Sequence, residues 1–129
     1  MQKSQSGFTL IELVVVIVLL GILGVTAIGK YQDLSLEAQN AANGGVASEL
    51  SAASGINLAA VTLGAGGTAY NGAAETCAAA AADLFATGAP AGYTFTGGGN
   101  CTTASSFVCT VDSGTVGETT ADAQILCTP

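Results

Sequence analysis

The residues that could do chemistry in this chain are few. Among 129 amino acids there is no His and no Arg, and the titratable set is two Lys (Lys3 and Lys30), four Cys, three Tyr and nine carboxylates. Without His, imidazole acid–base catalysis, Ser-His-Asp and Cys-His nucleophile pairs, and every His-containing metal site are excluded. No enzyme activity is expected. Three features remain: Glu12 inside an apolar run, the cysteines Cys77, Cys101, Cys109 and Cys127, and the carboxylates Asp112, Glu118 and Asp122 around a Gly/Thr-rich loop. The loop could offer oxygens to a hard cation such as Ca²⁺, but its spacing matches no EF-hand; it reads as a solvated turn, and neither a metal nor a cofactor is expected. Gly97-Gly98-Gly99 lacks the following Lys of a phosphate-binding loop. Asn100-Cys101-Thr102 fits the N-x-[ST] glycosylation pattern, although its central Cys is expected in a disulfide. The formal charge of −7 has the wrong sign for neutralising phosphates, so no direct nucleic-acid partner is expected.

Glu12 gains its meaning from its surroundings. From Phe8 to Gly29 the chain reads FTLIELVVVIVLLGILGVTAIG, 22 residues with one charge. About 20 helical residues at about 1.5 Å each cover the roughly 30 Å hydrocarbon core of a bilayer. A removed secretory signal is the rival reading, but its apolar part is usually shorter and ends in a small-residue A-x-A-like site; Thr26-Ala27-Ile28 does not fit. Lys3 ahead of the run argues for a cytoplasmic N-terminus, partly offset by Lys30 behind it. A carboxylate within a membrane helix costs about 2.5–3.5 kcal/mol on insertion scales and usually has a partner. Either Glu12 lies near enough to the interface to stay wet, or a cation reaches it. A cut after Gly7 would create one, an α-amine on Phe8 at i,i+4 spacing from Glu12.

Gly7-Phe8-Thr9-Leu10-Ile11-Glu12 and the apolar tail behind it resemble the N-terminus of type IV prepilins and pseudopilins, closely over residues 7 to about 31. The resemblance implies cleavage between Gly7 and Phe8 by a prepilin peptidase and N-methylation of Phe8. It also implies that Glu12 guides assembly by pairing with the terminal amine of a neighbouring subunit; within a bundle of apolar helices, one axial offset satisfies both charges and others strand them. Gly7, lacking Cβ, lets a protease approach the backbone. Gly21, Gly24 and Gly29 either permit close helix packing or let the segment extend in a filament. The resemblance favours extension, although Gly29 stands where the family commonly carries proline. Tyr31 matches an aromatic common just past the membrane segment.

The implied fold is α+β, the pilin fold: a long N-terminal α-helix over about residues 8–58 and a small C-terminal head of antiparallel β-sheet. Residues 1–7 would be the leader, 8–30 the transmembrane and filament-core helix, 31–58 its amphipathic half and 59–129 a disulfide-linked head. In the amphipathic half, Leu34, Ala38, Ala42, Val46, Leu50 and Ala53 form one stripe at helical spacing, predicted to face the head, and Gly44-Gly45 could bend or break the helix. Beyond it, the pattern predicts a loop at 63–67, a helix over 73–86, a turn at 87–92, and strands at 92–96, 105–111 and 121–128. Phe107, Cys109 and Val111 share one strand face, as do Ala123, Ile125 and Cys127.

Four Cys in a non-cytoplasmic segment without C-x-x-C read as two disulfides, for which three pairings exist. A hairpin centred near Val116-Gly117 brings Cys109 and Cys127 near-opposite on the core face, which predicts Cys109–Cys127 and leaves Cys77–Cys101. Large apolar residues are scarce in the head, so these links would matter for its stability.

The function expected from the resemblance is a structural subunit of an extracellular type IV pilus, of the type IVa or mannose-sensitive-haemagglutinin kind. Its partners would be further copies of itself in a helical filament, the peptidase, the inner membrane before assembly and the pilus assembly machinery; its final location would be the bacterial cell surface. The alternative is a pseudopilin or minor pilin of a secretion or pilus machine.

Overall fold

In the computed structural model, which describes residues 7–129, the chain runs as helix α1 (Leu10–Thr62), strand β1 (Glu75–Thr76), helix α2 (Cys77–Leu84) and strands β2 (Thr94–Gly99), β3 (Ser106–Asp112) and β4 (Ala121–Leu126). This long helix followed by a small antiparallel four-stranded sheet is the expected α+β arrangement. Residues up to Ser35 form one compact unit and Leu36–Pro129 another.

Helix α1 is unbroken through Gly21, Gly24, Gly29 and the Gly44-Gly45 pair. It ends four residues later than the apolar pattern indicates, because its stop is set by backbone geometry. Gly64 takes φ +66, its N–H bonds to Val61 O at 3.1 Å, and Ala65 N bonds to Ala60 O at 2.9 Å. That is a Schellman closure, in which a left-handed residue turns the chain back onto the last free carbonyls.

The sheet has strand order β1-β2-β3-β4, every neighbouring pair antiparallel. Phe107, Cys109 and Val111 of β3 and Ala123 and Ile125 of β4 are buried together with Ala47, Leu50, Tyr70, Cys77, Ala80, Ala81 and Phe85, as the strand alternation predicts for those five. Helix α2 is shorter than its Ala-rich pattern. Thr76 caps it, the Thr76 hydroxyl accepting from Ala79 N at 3.3 Å, and the residues just before are drawn into β1. Strand β1 pairs with Gly98 and Gly99, where glycine is required: a Cβ on Gly98 would strike the Glu75 carbonyl, and one on Gly99 the Phe107 side chain.

The disulfides correct the expected pairing: Cys77 bonds to Cys109 and Cys101 to Cys127. The β3–β4 hairpin has its centre where predicted, but that centre sets Cys109 opposite Ala123. Cys127 lies beyond β4, where its N–H bonds to Ser105 O at 2.9 Å. Cys109 and Cys127 are thus about four residues apart along the ladder, on the order of 13 Å at a strand's rise and outside disulfide reach. Cys77 reaches Cys109 instead because Gly97 lies between them. Gly97 pairs with Cys109, and a Cβ on it would sit 3.5 Å from Cys77 Sγ and 3.9 Å from Cys109 Cα.

The helix face against the head also differs from the apolar stripe. Leu34, Ala38 and Ala42 are exposed, Val46 and Ala53 are half-buried, and the buried α1 residues are Asn43, Ala47, Leu50 and Ser54. Beside them the open edge of β4 needs acceptors for its outward N–H groups, since a buried donor left alone costs about 1–3 kcal/mol. Gln124 N donates to Ser51 Oγ at 2.9 Å and Leu126 N to Ser54 Oγ at 2.7 Å. In the preceding loop Thr119 N donates to Asn40 Oδ1 at 2.7 Å, while Asn43 Nδ2 donates to Thr119 O at 2.9 Å. Short polar side chains at positions 40, 43, 51 and 54 therefore finish the sheet edge. Ser54→Ala, which deletes the acceptor oxygen without adding bulk, is expected to destabilise the head by about 1–3 kcal/mol, whereas the exposed Ser48→Ala should change little; denaturant unfolding of the two variants checks this.

Candidate functional site

The residues singled out for processing and assembly lie at the start of α1. Thr9 is the last residue before the helix, and it and Glu12 cap each other. The Glu12 carboxylate accepts from Thr9 N at 3.0 Å and from Thr9 Oγ1 at 2.7 Å, and Glu12 N approaches Thr9 Oγ1 at 3.4 Å. This is the capping box, a reciprocal side-chain closure of the first turn. The sequence reading passed over Thr9, although its signal was present as Thr-x-x-Glu at the head of an apolar run. Glu12 therefore has a partner in its own chain before any neighbour arrives, and the helix start is defined by residues from Thr9 onward.

Phe8 and Glu12 lie on one shallow groove of ≈ 350 Å³, which Ile11, Val15 and Val16 also line. Phe8 is 90 % exposed, and every residue of α1 as far as Ile28 is exposed too. The helix is long and apolar enough to cross a membrane. So extensive an apolar surface demands a covering, by lipid or by other protein. Gly7 is exposed, and space for a Cβ is open there and at Gly21, Gly24 and Gly29. These three helix glycines make no close contact within the chain, so neither reading of their role draws support from it.

In the head, the loop carboxylates serve the loop. Glu118 accepts from Ser113 Oγ at 2.6 Å and from Thr115 N at 3.0 Å, and Asp112 Oδ1 accepts from Gly114 N at 2.7 Å. The Ser113 hydroxyl foremost, with the Thr115 N–H, holds the Glu118 carboxyl below its ordinary range. Asp122 is turned to Thr110 Oγ1 at 3.2 Å. Among the described residues no group of three or more His, Cys, Asp or Glu is placed to hold a metal.

Residues 2–28 match the family model described as the prokaryotic N-terminal methylation motif. Two proteins of Pseudomonas aeruginosa, each described as "Fimbrial protein", are 51 % identical to this chain over 37 residues, 29 % of this chain. The chain matches about a quarter of the length of these curated relatives, 24 % in each case. No solved structure matches. The class defined at the N-terminus is that of a chain bearing the prokaryotic methylation motif. Together with the fimbrial likeness it supports a type IV pilin, a structural rather than an enzymatic family, and the long helix with its antiparallel head is consistent with the α+β pilin fold. The particular mannose-sensitive-haemagglutinin kinship is not among these likenesses.

Proposed function

We propose that this protein is a structural subunit of an extracellular type IV pilus. It enters the inner membrane as a prepilin, a prepilin peptidase cuts it after Gly7, Phe8 is N-methylated, and the product polymerises through its N-terminal helix with the help of the pilus assembly machinery. In this reading residues 1–7 are the leader, 8–30 the membrane and filament-core helix, 31–58 its amphipathic continuation and 59–129 the head.

The observation that carries the reading is the arrangement at the start of α1. Phe8 lies two residues ahead of α1, and Glu12 in the first turn leads an exposed run of Val, Leu and Ile, with a single carboxylate four residues from the prospective new amine. Lipid satisfies the apolar surface but leaves a carboxylate at a cost; a bundle of identical helices satisfies both, provided each terminal amine meets a carboxylate. Glu12 then fixes axial register more than it adds stability, and Gly21, Gly24 and Gly29 leave the core helix free to extend where neighbours require it.

Intact mass spectrometry of material sheared from cells tests this directly. Residues 8–129 plus one methyl, gaining four hydrogens on reduction, is the expected species. The same trimmed species confined to the envelope would make the protein a pseudopilin, and an unprocessed chain would reject the pilin role. Gly7→Glu is expected to leave the full-length precursor in the membrane fraction, because a charged side chain replaces the residue that lets the peptidase close on the backbone. Normal trimming of that variant on an immunoblot would refute the cleavage site.

A further inference from the structure

Between α1 and the end of α2 lies a groove of ≈ 280 Å³ lined by Ala53, Ile56, Asn57, Ala60, Asp83 and Leu84. Its polar and apolar parts are arranged as a long cationic side chain would need. Ile56 is largely exposed and Leu84 half-buried, giving a shelf for methylene groups, and Asp83 supplies an exposed carboxylate beside them. Lysine side chains bury such stems against apolar surface while the ammonium stays at a polar edge.

Asp83 is distinctive among the head carboxylates that follow α1. Glu75 accepts from Gly72 N, Asp112 from Gly114 N, Glu118 from Ser113 and Thr115, and Asp122 from Thr110. Asp83 alone of these accepts from no backbone N–H and no Ser or Thr hydroxyl; the donor beside it is the Tyr70 hydroxyl. It also occupies the last turn of α2, which contains no basic residue, where the helix dipole adds negative potential. Close by, the Tyr70 hydroxyl is buried without a hydrogen-bond partner. Burial first, and then the charges of Asp83 and Glu75, push this hydroxyl up to about 12, so it stays a neutral donor and leaves the Asp83 charge unneutralised. Negative potential thus gathers where the chain's own fold supplies nothing positive.

Residues 8–129 contain a single basic side chain, Lys30, and it is exposed. We propose that the groove of one copy of this chain seats Lys30 of a second copy, its stem along Ile56 and Leu84 and its ammonium on the Asp83 carboxylate. This rests on the filament reading above and names one contact between its subunits. In a polymer of identical acidic chains, Lys30 is the one side chain that can offset carboxylate repulsion between neighbours, and Asp83 offers its carboxylate beside an apolar shelf for the stem.

The single lysine makes the contact directly readable. Sheared filaments are treated with a water-soluble carbodiimide, which activates a carboxyl group; the amine displaces the urea, and an amide forms with net loss of one water taken up by the carbodiimide. Covalent multimers are expected, with tandem mass spectra locating a bond between Lys30 and Asp83, and that bond should vanish in Asp83→Asn; a bond between the Phe8 amine and Glu12 would belong to the assembly contact above and is scored apart. Filament yield of Asp83→Asn should fall about two- to fivefold, the scale of an exposed ion pair; Lys30→Glu should lower it at least as far, and adding Asp83→Lys should restore it. Lys30 joined to Asp33, Glu37, Glu49 or another carboxylate overturns the proposal, as does filament material in which Lys30 forms no cross-link. If the wild type yields no filaments from sheared cells, the polymer reading itself fails, an outcome distinct from an unlinked filament.

Discussion

Glu12→Ala is expected to insert in the membrane and be trimmed after Gly7, yet to yield almost no filaments. The substitution removes a charge from an apolar run and so favours lipid insertion, while depriving each neighbour's terminal amine of its carboxylate. An amine carried into a bundle of apolar helices without a partner costs about 3–5 kcal/mol, which corresponds to more than a hundredfold in the assembly equilibrium. Measured as the ratio of sheared to membrane-held protein on an immunoblot, normal yield would remove Glu12 from the assembly step.

The capping box makes a single variant ambiguous, because Glu12→Ala also removes the bonds between Glu12 and Thr9. Two further substitutions separate the roles. Glu12→Gln keeps a side chain able to close the capping box but carries no charge. Thr9→Val keeps the charge but deletes the hydroxyl, at a cost of about 1 kcal/mol to the first turn. If charge pairing governs assembly, Glu12→Gln should fail nearly as completely as Glu12→Ala while Thr9→Val assembles. The reverse pattern would assign Glu12 to the helix start alone. The own-chain partner also suits the sequence of events: Thr9 can hold the carboxylate in the unassembled subunit, and a neighbour's amine then competes for an acceptor already oriented on the groove edge.

Local patterns in the sequence carried the N-terminal half well. A motif followed by an apolar run needs no tertiary information, and the alternation of Phe107, Cys109 and Val111 or of Ala123 and Ile125 is a property of a strand by itself. What could not be read depended on partners distant in sequence. The helix face was mistaken because hydrophobicity marks core contacts, whereas Asn40, Asn43, Ser51 and Ser54 answer the hydrogen-bond needs of β4 and of the loop before it, 72 or more residues away. The disulfides were mispaired for a related reason. Opposition of two cysteines was inferred from one hairpin, while the link that forms crosses an intervening strand at Gly97, a residue whose importance lies in the side chain it lacks.

That crossing predicts unequal disulfides. Cys77 and Cys109 are fully buried, whereas Cys101 and Cys127 are half-buried at the sheet's margin. Loop closure favours the two links almost equally, since their separations of 32 and 26 residues each correspond to about 3.5 kcal/mol in the chain-entropy account. Replacing Cys77 and Cys109 together by Ser adds a second penalty, because it leaves two hydroxyls among Ala80, Phe107 and Ile125 in place of sulfur. The double variant is expected to lose the head's cooperative unfolding transition at 37 °C, while the Cys101→Ser/Cys127→Ser protein should stay folded with a lowered midpoint. Limited reduction followed by alkylation and mass mapping should label Cys101 and Cys127 first, as they are the more open to a thiol. Equal loss of stability in the two double variants, with equal labelling, would show that burial at the Gly97 crossing adds nothing beyond loop closure.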